Sequence, residues 1–309
     1  MQGTIAQIVA LTAHGNSILR GLLESQAFQS QNSTFTFCES VDFVEAPQGV
    51  PAKKAGIWAA NLHDWFERLR KANVHTLKIR HGPSGRTDVA DRILVGFVGG
   101  GGRWLIETRS ADRADYWEAR WQVGNRERPD KKIWRVSYVR IHTGNPSAHG
   151  QADNLTQLKA ELRECLGDIA DFSRSHKLDW FTAAFESGIT RLDSNTPLEG
   201  LYHQDIVPPG FLSLPANQLL GSAEAAWVFG GMGSWNDQSF EGESRTRYEE
   251  LSESLFRLLN RAIVASVNSN TDDAKRTLSR IFGRKGGLVR LALFIAKCGR
   301  GLRRRGPWL

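Results

Sequence analysis

Apolar residues in this chain recur at every second position in several stretches before residue 145, and at every third or fourth position after it. That change of period separates a sheet-forming stretch from a helical one, because strands repeat at two and helices at 3.6. Trp117, Ala119, Trp121 and Val123 alternate with Tyr116, Glu118, Arg120 and Gln122, the pattern of a half-buried strand. Similar runs cover Ile93–Val98, Arg103–Arg109, Asp115–Val123 and Ile133–Ile141, with short links between them. One link is Gly99–Gly102, whose glycines suit the positive-φ positions of a tight hairpin. These strands predict an antiparallel β-meander.

Upstream, Ile5–Ala13 predicts a short helix stopped by Gly15 and Asn16. Phe35, Phe37, Val41 and Phe43 predict one face of a strand, with Glu39 breaking it. A loop at Ala46–Gly56 leads to an amphipathic helix carrying Trp58, Leu62, Trp65, Phe66 and Leu69 on one side. Asn73 is its expected stop, Val74–Arg80 a further strand, and one sheet face is expected to pack on this helix.

Past Pro146, Leu155, Leu158, Leu162, Cys165, Ile169 and Phe172 follow a 3-4-3-4-3 spacing, with Asn154 and Gln157 placed as a capping pair. Leu178–Leu192 and Asn217–Phe229 predict two more helices. A fourth is expected from a capping box at Thr246 and Glu249, continuing through Tyr248, Leu251, Leu255, Leu258, Ala262 and Ala265. The fold class is therefore α+β: an antiparallel meander with packed helices in the N-terminal half, a mainly helical C-terminal half, and a basic tail. The expected divisions are residues 1–145, 146–271 and 272–309, the first two packed together.

From Lys275 to Leu309 there are eleven Lys or Arg and no Asp or Glu. Removing those eleven leaves 29 Lys and Arg against 33 Asp and Glu, so a chain of formal charge +7 has a body at −4. Cations confined to one end read as an interaction tail. Arg284, Lys285, Arg290, Arg300, Arg303, Arg304 and Arg305 are its candidate polyanion contacts, on nucleic acid or an anionic lipid surface. Interleaved Leu288, Leu291, Phe294, Ile295 and Trp308 favour the lipid surface; a solvated appendage is the plainer alternative.

The most distinctive local feature is Gly230–Asp237. Gly230, Gly231 and Gly233 let backbone approach a ligand, and Ser234, Trp235, Asn236 and Asp237 could orient one. These glycines follow a helix, whereas a phosphate cradle precedes one, so a turn is the competing explanation. His203 with Asp205 is a candidate base and orienting acid, against a solvent-facing loop histidine. Gly82–Thr87 lacks the phosphate-loop lysine, and Trp104 spoils a dinucleotide fingerprint at residues 99–102. Eight histidines form no metal pattern, and no cofactor is called for. Trp104, Trp117, Trp121 and Trp134 could line a concave pocket for flat or sugar ligands, or pack as core. Cys38, Cys165 and Cys298 are too few and too distant for a disulfide framework, which suits a reducing compartment; Cys38 is expected to be exposed.

No apolar run approaches the length of a membrane span, and the chain has the character of a bacterial-type cytoplasmic protein. The leading expectation is a binding or interaction protein whose tail contacts an anionic membrane surface, nucleic acid or another protein. The alternative is a hydrolase or transferase with a catalytic site of His203, Asp205 and Asp237.

Overall fold

The first element is the most deeply enclosed. In the computed structural model, which describes residues 1–26, 28–45, 56–145 and 153–282, helix α1 runs Gly3–Leu19. Ile5, Ala6, Ile8, Val9, Leu11 and Ile18 are all buried, and a helix apolar nearly all round has to be covered on every side. The expected stop at Gly15 and Asn16 does not occur. A β-carbon on Gly15 would lie 2.8 Å from Phe66, so that glycine serves a close helix–helix approach. Asn16 is fully buried and bonds to its neighbours instead of ending the helix. A short helix α2 (Phe28–Gln31) and a 3-10 turn, Ser33–Phe35, follow.

Six strands form one sheet: β1 (Cys38–Glu45), β2 (Gly56–Ala59), β3 (Thr76–Gly82), β4 (Arg103–Arg109), β5 (Ala114–Val123) and β6 (Trp134–Gly144), in the order β2-β1-β6-β5-β4-β3. From β3 to β6 each strand pairs antiparallel with the next, a true meander. Strand β1 then lies parallel to β6, with Val41 opposite Val136, so the whole sheet is mixed. The expected strand at Phe35 begins only at Cys38, because Ser33–Phe35 turns to meet the helical half. Glu39 breaks the face as expected and bonds Arg135 at 2.8 Å. Cys38 is buried, with its thiol pushed up to about 11 by burial.

Ile93–Val98 is not a strand. Asp91–Leu94 is a single helical turn, α4, and the glycines fold back against it. A β-carbon on Gly100 would overlap the Leu94 carbonyl at 1.8 Å, while Gly101 and Gly102 take φ of +86° and +89°. Only glycine tolerates both demands. Helix α3 (Leu62–Lys71) is capped by Asn61 and ends before Asn73 at φ 54°. Trp58 belongs to β2 instead. Phe43 stacks on Trp65 at 4.2 Å and on Tyr138 at 5.3 Å, and Trp117 meets Trp65 edge-on at 6.0 Å. These rings tie the sheet to α3.

The helical part comprises α5 (Leu155–Ser175), α6 (Asp179–Arg191), α7 (Leu214–Ala225) and α8 (Gly242–Phe282). Asn154 caps α5 through Thr156 and Gln157 amides, but Gln157 reaches forward to Glu161 rather than back. Helix α8 starts four residues ahead of the expected box at Thr246. Glu249 has another partner: the buried Arg92 of α4, which also lies 3.6 Å from Glu253 and over the Tyr248 ring. No helix among the described residues is long and apolar enough to cross a membrane.

The outer edge of β3 is closed by side chains. Asn16 donates to the Leu77 carbonyl and accepts from the Leu77 amide, both at 2.9 Å. Asn268 of α8 does the same for Ile79, again at 2.9 Å. An edge strand otherwise presents unpaired backbone groups, and here two amides satisfy them. Residues Met1–Ser269 form one compact unit and Asn270–Leu309 a second. The tail positions Arg284, Lys285, Arg290, Arg300, Arg303, Arg304 and Arg305 lie outside the described residues.

Candidate functional site

The glycine-rich loop after α7 is held by its own polar groups. Trp235 N donates to Val228 O at 3.1 Å, and Ser234 Oγ to Gly230 O at 3.1 Å. The Asp237 carboxylate accepts the Gly233 amide, and Gly233 takes φ of +84°. Asn236 donates to the Arg92 carbonyl at 2.7 Å, fixing the loop to α4. Trp235 is fully buried. Its ring meets Phe181 at 5.0 Å and Phe185 at 5.2 Å, and its indole donates to Ser252 at 2.7 Å. Only the backbone of Gly230 and Gly231 from this loop borders the cleft described below.

His203 and Asp205 lie elsewhere, in the irregular connection between α6 and α7. His203 is 8 % exposed rather than solvent-facing. Its Nδ1 lies 2.8 Å from Ser33 Oγ, and Ser33 Oγ donates to Asp205. The Ser33 amide donates to Asp205 at 2.7 Å, and Asn32 donates to the Asp205 carbonyl at 2.8 Å. His14 reaches the same carbonyl at 3.0 Å. The His203 amide donates to Glu224 of α7 at 3.1 Å. Burial lowers the His203 imidazole to about 4 and raises the Glu224 carboxyl above its ordinary range. A neutral imidazole that donates to Ser33, which in turn donates to Asp205, satisfies every hydrogen in that chain. As a base it lacks an activated hydroxyl, because the single Ser33 proton already points to the carboxylate.

An aromatic cleft of about 510 Å³ opens beside the loop. Four parts of the chain wall it: the start of α1, the turn after α4, the end of β5 with the start of β6, and the stretch after α7. Trp121 and Trp134 meet edge-on at 5.7 Å, and Trp227 and Phe229 at 6.2 Å. A β-carbon on Gly96 would sit 2.7 Å from the Gly230 carbonyl, so the turn after α4 touches the glycine loop only because Gly96 lacks a side chain. Gln2 fastens the rim by donating to Val95 O at 3.0 Å. The indole N–H groups of Trp121 and Trp227 are buried with no hydrogen-bond partner. None of the cleft's side chains titrates.

The four sheet tryptophans thus divide. Trp104 and Trp117 are core, while Trp121 and Trp134 reach past the cover of α3 to the cleft. Trp227 escaped notice in the sequence because it reads as the last turn of a helix. Its neighbour Phe229, set against Gly230 and Gly231, was the available signal. Among the described residues no group of His, Cys, Asp and Glu is placed to hold a metal ion. Comparison with protein-family models, curated proteins and solved structures finds no match for this chain.

Proposed function

We propose that this is a binding protein whose aromatic cleft accepts a flat ring, either a planar heterocycle or the apolar face of a sugar. The observation that carries this is the wall itself: Trp121, Trp134, Trp227 and Phe229 surround about 510 Å³ and no side chain there titrates. Aromatic faces supply area and orientation at small conformational cost. A cleft with no titratable side chain is suited to holding a ligand and poorly suited to acid–base chemistry.

Tryptophan fluorescence titrated with indole, riboflavin and methyl glycosides tests this. Saturable quenching by one class, weakened about tenfold or more in Trp227→Ala, supports the proposal. A response that never saturates, or one unaltered in Trp227→Ala, defeats it.

The cationic end adds an electrostatic partner to the same protein, an anionic lipid surface or nucleic acid. Its support is the charge segregation in the sequence. Binding to anionic vesicles should fall steeply with salt and vanish on deleting residues 272–309. The two described cysteines are unpaired, in keeping with a cytoplasmic home. A hydrolase or transferase built on His203, Asp205 and Asp237 has less support, since each already makes structural bonds.

A further inference from the structure

A second cavity, of about 400 Å³, lies between β3, α4 and α8, with His81, Asp91, Phe256, Arg257, Asn260 and Arg261 among its walls. Asn260 is 2 % exposed, and neither its Nδ2 nor its Oδ1 has a hydrogen-bond partner in the protein. A buried amide left unbonded is destabilising, and it is rare for a native helix to carry one. The sequence context sharpens the anomaly. Phe256, Ile263 and Val267 form a buried stripe at helical spacing, and Asn260 is the polar break in it. Asp91, from a different element, contributes a second unmet acceptor: its Oδ2 accepts the Ser84 amide at 3.0 Å, while Oδ1 is buried without a partner.

Of the five charged side chains around the cavity, Asp153, Glu253 and Arg261 are ion-paired, while Asp91 and Arg257, of opposite sign, make no ion pair among the described residues. Arg261 bonds Asp153 at 2.7 Å and Glu161 at 2.9 Å, and Glu253 faces Arg92. Burial holds the His81 imidazole below its ordinary range and so neutral. With the charges of Asp91 and Arg257 opposed and the rest paired, the site carries little net charge and suits a neutral guest. Asn260 asks for an acceptor and a donor side by side, and Asp91 asks for a further donor. Phe256 and Val264 offer apolar faces to a ring. The edge that meets all of these is an amino group next to a ring nitrogen or carbonyl, as on an amino-bearing nucleobase.

We propose that this cavity binds an amino-bearing nucleobase or nucleoside through Asn260 and Asp91, independently of the aromatic cleft. Calorimetric titration of the full chain with cytidine, adenosine and guanosine, and with uridine as the analogue lacking the amino group, tests it. At least one amino-bearing nucleoside should bind saturably, with uridine weaker by about tenfold or more. Asn260→Leu should weaken that binding by a similar factor with its melting temperature unchanged or raised, while Trp121→Ala, in the aromatic cleft, leaves it intact. Asp91→Asn, which turns the acceptor into a donor and can keep the Ser84 bond, should weaken it as well. The idea falls if no nucleoside binds up to millimolar concentration, if uridine binds as well as the tightest amino-bearing nucleoside, or if Asn260→Leu binds normally. Loss in Trp121→Ala but not in Asn260→Leu would move the nucleoside to the aromatic cleft and refute this assignment.

Discussion

Asn16 and Asn260 are the same residue, on helices, at nearly the same burial, and they live opposite lives. Asn16 has both amide atoms bonded, to Thr12 and to both backbone groups of Leu77. Asn260 has neither bonded within the protein. The difference teaches how to tell a buried polar group that builds the fold from one kept for something else. The first kind answers an obligation of the backbone, here the free edge of β3; the second answers none. Asn268, eight residues beyond Asn260 on α8, belongs with Asn16, since it satisfies Ile79.

Removing the builder should do the most damage. Asn16→Leu strips partners from a buried amide and a buried carbonyl and should cost about 3–5 kcal/mol, read from denaturant unfolding. A cost under about 1 kcal/mol would mean that the edge of β3 finds other partners and that the contrast is false. Asn268→Leu should cost less, about 1–3 kcal/mol, because its side chain is only half-buried and water can replace part of what is lost.

His203 sharpens the comparison through pH, being satisfied only while neutral. Its folded value of about 4 lies below the unfolded value of about 6.5. As pH falls between those values the unfolded chain takes up the proton first, so the stability present above about 6.5 is lost toward 4. His14 and His81 are lowered by burial too and act in the same direction. Comparison with His203→Gln isolates the one group: wild type should lose about 1–2 kcal/mol more than the variant between about pH 7 and pH 4.5, allowing for partial solvation. Parallel pH profiles would show that His203 is solvated.

Asn260→Leu should have the smallest effect on stability, from nothing to a gain of about 1 kcal/mol, since no bond is lost and apolar contact is added. A loss above about 2 kcal/mol would place Asn260 with Asn16.

Local periodicity made much of the fold legible. The spacing of Leu62, Trp65, Phe66 and Leu69 announced α3, Asn73 its end, and the alternation around Trp117 the strand β5. What stayed hidden was set by distant partners. Gly15 and Asn16 look like a stop unless one knows that Phe66 and Leu77 lie against them. Ile93–Val98 is a short apolar run rich in branched residues like a buried strand, yet Asp91–Leu94 makes a helical turn and Gly100 packs onto Leu94. The parallel pairing of β1 with β6 joins residues more than ninety apart, as in Val41 opposite Val136, and no local pattern reports it. Of the candidate sites, Gly230 and Gly231 could be found from composition, and Trp121 and Trp134 from their count and placement. Trp227 and Asn260 are harder to find: the signals are Phe229 set against Gly230 and Gly231 for the first, and the interrupted stripe on α8 for the second.

The closure of β3 also bears on how the chain is made. Ile79 leaves the ribosome long before Asn268, its partner 189 positions later. Throughout that interval of synthesis the nascent protein carries a strand with half its rim uncovered, open to pairing with a neighbouring copy. Translation that stalls before α8 is complete leaves a product prone to sticking, even though its sheet is otherwise whole.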